Sequence, residues 1–208
     1  MITGPKMRIA VILLVVPLLA ACAGNRAVGV LKEGHNDLIV SRDFGICKGY
    51  GCRYYLKTGL NRDEWQQIVA VFAVPPENAA QERGLIKKAI GLFERLIGPK
   101  TGTDTDDAGA QLINFSTRDQ MDCIDEAFNS STYLFLLRKA GLIRFHTLGK
   151  TLRRGNYINR WPHNSATIHE IRNNNAHYVV DSWFHANGEE PEIVPASQWS
   201  DGWSPERK

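Results

Sequence analysis

The chain contains no apolar run long enough to span a bilayer. Its longest, Ile9 to Leu19, is interrupted only by Pro17 and falls short of the roughly 20 residues a membrane-crossing helix needs. No Lys/Arg cluster is interleaved with aromatic residues, and the formal net charge is only +3, so nothing marks a nucleic-acid surface. No internal repeat and no low-complexity tract is present, which excludes solenoids. Cysteine is scarce, with four residues in all. What remains is a chain of 208 residues and 43% hydrophobic content, enough to bury one sizeable core.

The N-terminus reads as a targeting segment. Lys6 and Arg8 supply a positive n-region ahead of the short apolar stretch, which predicts a signal peptide over residues 1–21. Met7 is an alternative start. Leu19-Ala20-Ala21-Cys22 resembles the lipobox of bacterial lipoproteins. The resemblance implies cleavage before Cys22, lipidation of its thiol, and membrane attachment through that lipid. Ala23, where an aspartate would signal inner-membrane retention, implies an outer-membrane address facing the periplasm. Processing removes two of the 25 basic residues and no acidic one, leaving a net charge of +1, so attachment rests on lipid and not on charge. Residues 22–40 are expected to form a tether, and 41–208 a single domain.

Cys47 and Cys52 lie in a glycine-rich stretch, Phe44 to Tyr55. In an oxidising compartment they predict a small disulfide loop. Half of a metal site is the alternative, although no second cysteine pair and no neighbouring histidine would complete it. Helical spacing predicts a helix over Asn61–Phe72 and a second over Glu77–Ile97, stopped at Gly98-Pro99. Asp104, Asp106 and Asp107 are expected in a solvated loop. Their spacing starts like a calcium loop, but Phe115 stands where a bidentate Glu is required. No metal and no cofactor is expected.

The central stretch is Gln120-Met121-Asp122-Cys123-Ile124-Asp125-Glu126. Asp122 and Asp125 form a capping-box-like pair, and the acidic residues suit the positive end of a helix dipole. Cys123 then sits on the first helical turn, where unpaired N–H groups and the dipole favour a thiolate. A nucleophile and a small buried core residue are both compatible with that position. Downstream the period changes to strands over Leu142–Leu148, His163–Ile171 and His177–Phe184. A basic turn or hairpin covers Lys150–Asn159, a tight turn Asn173–Asn175, and tail tryptophans Trp199 and Trp203 pack across the sheet edge. Helices followed by antiparallel strands predict an α+β fold. A thiol needs a base, and an imidazole needs an acceptor. Pairing around Asn173–Asn175 brings His163 near Asp181. His169, on the same strand face, is the competing base, and Gln120 is a candidate oxyanion donor.

These residues resemble the bacterial transglutaminase-like cysteine proteinase and hydrolase superfamily. Asp-Cys-x-Asp at 122–125, the Cys123–His163–Asp181 order and the ending Val179-Val180-Asp181 carry the likeness, over residues 77–184. It implies a papain-like core, with Cys123 as nucleophile, His163 as base and Asp181 as orienting carboxylate. The substrate would be a protein or peptide, cleaved at an amide through a thioester or, in a transglutaminase, passed to an amine. A non-catalytic envelope lipoprotein using the fold for binding is the alternative. Asn164 and Ser165 follow the histidine where the family often has an aromatic or aliphatic residue. Ile124 stands where its periplasmic proteinases commonly place a calcium-binding acid, and Met121 where a glycine is frequent.

Overall fold

The computed structural model describes residues 40–110, 118–156, 158 and 161–206. The expected signal segment, Cys22 and the expected tether up to residue 39 lie outside the described residues. Among the described residues, no helix is long and apolar enough to cross a membrane.

An antiparallel hairpin comes first, β1 (Phe44–Lys48) paired with β2 (Tyr54–Thr58) in the register Phe44↔Thr58. Glycines between and around the cysteines disguised it as loop in the sequence. Helix α1 (Arg62–Val71) starts where expected. Asn61 accepts from the Glu64 N–H, and the Glu64 carboxylate accepts from the Asn61 N–H, a complete capping box. Helix α2 (Ala79–Thr101) runs through the expected Gly98-Pro99 stop and ends on left-handed Gly102. Proline inside the helix forfeits one N–H bond. The last turn is held instead by the Thr101 hydroxyl, which donates to Ile97 O at 3.0 Å, and by the Thr103 N–H, which donates to Gly98 O at 3.1 Å.

Helix α3 (Cys123–Lys139) is central, buried on nearly every side and ending in Arg138 and Lys139, which suit its negative pole. Strands follow: β3 (His146–Leu148), β4 (Leu152–Arg154), β5 (His163–Glu170), β6 (Ala176–Asp181) and β7 (Glu192–Pro195), then a short helix α4 (Ala196–Asp201). They form an antiparallel sheet in the order β3-β5-β6-β7, with β4 also pairing β5. The fold is α+β. Residues 142–145, expected as strand, are not. Their backbone is claimed by buried Glu82 of α2, which accepts from the Arg144 and Phe145 N–H groups and bonds His146 Nδ1 at 2.8 Å. Burial alone would raise the Glu82 pKa, but those partners lower it.

One core joins the layers. Phe93 of α2 stacks on Tyr133 of α3 with centroids 4.7 Å apart, and Phe44 of β1 meets both rings edge-on. Ile68, Ile86, Ile90, Leu134, Leu137, Ile168 and Val180 close it. The sheet therefore lies on α3 and fixes where the first turn of that helix points.

Candidate active site

The N-terminal turn of α3 is tied down from two sides. Asp122 is the N-cap, its carboxylate accepting from the Ile124 and Asp125 N–H groups at 3.0 Å each. Asp125 is fully buried and reaches out of the helix. Its carboxylate accepts from Tyr50 N at 2.8 Å, Cys52 N at 2.6 Å and Asp122 N at 3.2 Å. The donors at 50 and 52 come from the loop closed by the Cys47–Cys52 disulfide, whose residues Gly49 to Cys52 all have positive φ. The expected pair is thus joined, and the loop it closes cradles the acid two residues from Cys123. Asn129 adds a second clasp, its amide exchanging bonds with Cys47 N at 2.7 Å and Cys47 O at 2.9 Å. Cys47, Cys52 and Asp125 cluster closely enough to hold an ion, but only if the disulfide were reduced. Replacing both cysteines by Ala is expected to cost about 2 kcal/mol of stability from loop-closure entropy. A denaturant midpoint measured with and without the cross-link checks it.

Cys123 is partly buried at the start of α3. Its thiol donates toward Pro162 O at 3.9 Å and accepts from Asn164 Nδ2 at 3.7 Å, partners that flank His163 in sequence. The expected dipole-stabilised thiolate is overturned. Burial pushes the thiol up to about 12, and the Asp122 and Asp181 charges push the same way, outweighing the Asn164 donors. The Asp122 cap takes the Ile124 and Asp125 N–H groups, two of the helix-end donors that would have favoured the anion.

His163 opens β5, and Asp181 closes β6. The register pairs Ala166 with Val180, so the two residues meet on a diagonal and not directly across. His163 Nε2 bonds Asp181 Oδ2 at 2.7 Å, both groups buried. The same Oδ2 accepts from Trp199 Nε1 at 2.7 Å. Trp183 and Trp199 flank the imidazole at 4.6 and 5.3 Å between ring centroids. Trp199 is fully buried, and its role in holding Asp181 had no signal beyond an expected edge-packing tryptophan. Short α4 and β7, both unexpected, deliver it.

The other candidates are elsewhere. His169 stacks on His177 at 4.2 Å, with Nδ1 near Asn175 O, so it is not the partner of Asp181. His146 is bound to Glu82. His185 faces Glu189 and Glu192. Gln120 does not face the thiol: its Oε1 accepts from Asp107 N at 3.0 Å, and its Nε2 donates to Thr105 O at 2.7 Å. The expected solvated loop holds for exposed Asp104 and Asp107 but not for Asp106. Asp106 is buried, accepting from Met121 N at 2.5 Å and bonding Glu126. Glu126 and Glu94 are buried beside it, with Glu126 Oε2 and Glu94 Oε1 lacking any hydrogen-bond partner. Burial raises all three, and acidic neighbours add to it: Asp107 and Asp122 for Asp106, which rises to about 7, Asp106 for Glu94, which rises to about 8, and Glu94 and Asp106 for Glu126.

No protein-family model, curated protein or solved structure matches this chain.

Proposed function

We propose that this chain is a cysteine hydrolase of transglutaminase-like type, acting on amide bonds of a protein or peptide. The observation that carries the reading is the buried His163–Asp181 bond beside a helix-borne cysteine whose sulfur lies against Pro162 and Asn164. The order of a helix carrying the thiol, a strand carrying the imidazole and a neighbouring strand carrying the carboxylate supports that core. The lipobox-like segment and the disulfide support a lipid-anchored, periplasm-facing protein of the outer membrane.

Nε2 of His163 is committed to Asp181, which leaves Nδ1 for the thiol proton. Because the resting thiol is neutral, deprotonation accompanies attack. Sγ bonds to the carbonyl carbon as its proton passes to His163. The C–N bond breaks, and His163 protonates the leaving amine, giving a thioester. Water then attacks, losing its proton to His163, and the C–S bond breaks to release acid and regenerate the thiol. An amine replacing water would make the same chemistry acyl transfer.

The raised thiol favours one competing reading, a binding lipoprotein with an inert buried cysteine. Iodoacetamide alkylation at neutral pH separates them. Rapid labelling of Cys123, slowed at least about 100-fold in His163→Ala, is expected from base assistance. A wild type that labels no faster than its His163→Ala variant supports the binding protein.

A further inference from the structure

The reaction above places negative charge on the substrate carbonyl oxygen, and Gln120 is not available to receive it. Both polar atoms of its amide are spent on the 105–107 loop. Asn164 is the residue beside the thiol that has the required chemistry. It follows His163 directly on β5, is half-buried, and brings Nδ2 to 3.7 Å from Cys123 Sγ. Its backbone position is fixed by pairing with Arg153 of β4. An oxyanion donor must end about 2.7–3.1 Å from the oxygen in the tetrahedral species. A carbonyl carbon bonded to Sγ sets its oxygen one bond further out, within that reach of a donor already contacting the sulfur. The helix end supplies the natural second donor. Asp122 takes the Ile124 and Asp125 N–H groups, and Cys123 N–H is the one preceding them on the same turn.

We propose that the Asn164 side-chain amide is a catalytic oxyanion donor, acting with the Cys123 backbone N–H on the acyl group that Cys123 attacks. The proposal rests on the cysteine-hydrolase reading. It also gives a use to the residue by which this chain departs from the aromatic or aliphatic pattern after the histidine.

Two reagents test it on the full-length protein. p-Nitrophenyl acetate acylates Cys123 through a tetrahedral oxyanion, with p-nitrophenolate leaving. Iodoacetamide alkylates by displacing iodide at a saturated carbon and forms no oxyanion. In Asn164→Ala, acylation is expected to fall about 10²–10³-fold, while alkylation changes less than about fivefold. Asn164→Leu, close in size, uncharged and lacking the amide donor, is expected to show the same selective loss, which keeps the test usable if the Ala variant folds poorly. Equal losses with both reagents would make Asn164 a residue that positions the thiol, and no loss would remove it from the site. Either result overturns the proposal while leaving the nucleophile in place. A wild type inert to both reagents overturns the hydrolase reading itself, and with it the role of Asn164.

Discussion

Acylation of Cys123 by p-nitrophenyl acetate is expected to fall at least about 100-fold when Asp181 is replaced by Asn. Asp181 Oδ2 accepts two bonds of 2.7 Å, from His163 Nε2 and Trp199 Nε1. An indole only donates, so the amide oxygen of Asn must keep facing Trp199. The same oxygen then still faces His163 Nε2, so the tautomer is kept and what is lost is the carboxylate charge that stabilises the imidazolium formed when Nδ1 takes the thiol proton. The substitution is nearly isosteric and preserves the Trp199 contact, so the melting temperature should change little while stopped-flow acylation collapses. An acylation rate within tenfold of wild type would mean that the Asp181 charge does not matter to the reaction at Cys123.

The second large effect is on stability against pH. Glu94, Asp106, Glu126 and Asp125 are buried together around the base of α3, and each is raised above its ordinary value, first by burial and then by its acidic neighbours. A raised carboxyl holds its proton longer in the folded chain than in the unfolded one. Its stabilising contribution is therefore complete below about pH 4 and is lost as pH rises through the folded values, about 7 for Asp106 and about 8 for Glu94. The Cys123 thiol extends the same slope into the alkaline range. Opposing it in acid are Glu64, Glu82 and Glu192, whose lowered values withdraw stability as pH falls through them. Lowered His177, near His169, adds a small opposite slope below the ordinary imidazole range. The melting temperature should peak near pH 5 and drop by roughly 10 °C by pH 9, a loss of a few kcal/mol for a chain of this size. Glu94→Gln should recover much of that drop at pH 9 and do little at pH 5. Its amide keeps an acceptor for the Gly188 N–H, which bonds Glu94 at 2.8 Å, and offers a donor where Glu94 Oε1 now has no partner. A flat melting profile would show that these carboxyls ionise freely in the fold.

The same acids explain where the sequence was legible and where it was not. Local signals survived: the capping boxes at Asn61/Glu64 and Asp122/Asp125, the Asn173–Asn175 turn and the approach of His163 to Asp181 are all in the structure. Each is set by residues close in sequence or across one hairpin. Asp106 looked like a solvent-facing loop charge and Glu126 like a first-turn acid suiting the helix dipole, because their burial depends on α2 and on the 182–188 segment closing over them, long-range packing with no local mark. Helix α3 gives a weak amphipathic pattern because it is buried nearly all round. Trp199 reaches Asp181 only after β7 turns the chain back along β6, so its bond to the site could not be read from spacing.

The central claim is that His163 makes a neutral, partly buried Cys123 thiol nucleophilic. Single-turnover acylation by p-nitrophenyl acetate at neutral pH, followed by intact mass in wild type, Cys123→Ser and His163→Ala, tests it most directly. The expected result is one acyl group on wild-type Cys123, with the rate at least about 100-fold lower in each variant. Wild-type protein that gains no acyl group, or a His163→Ala variant that acylates as fast as wild type, would contradict it.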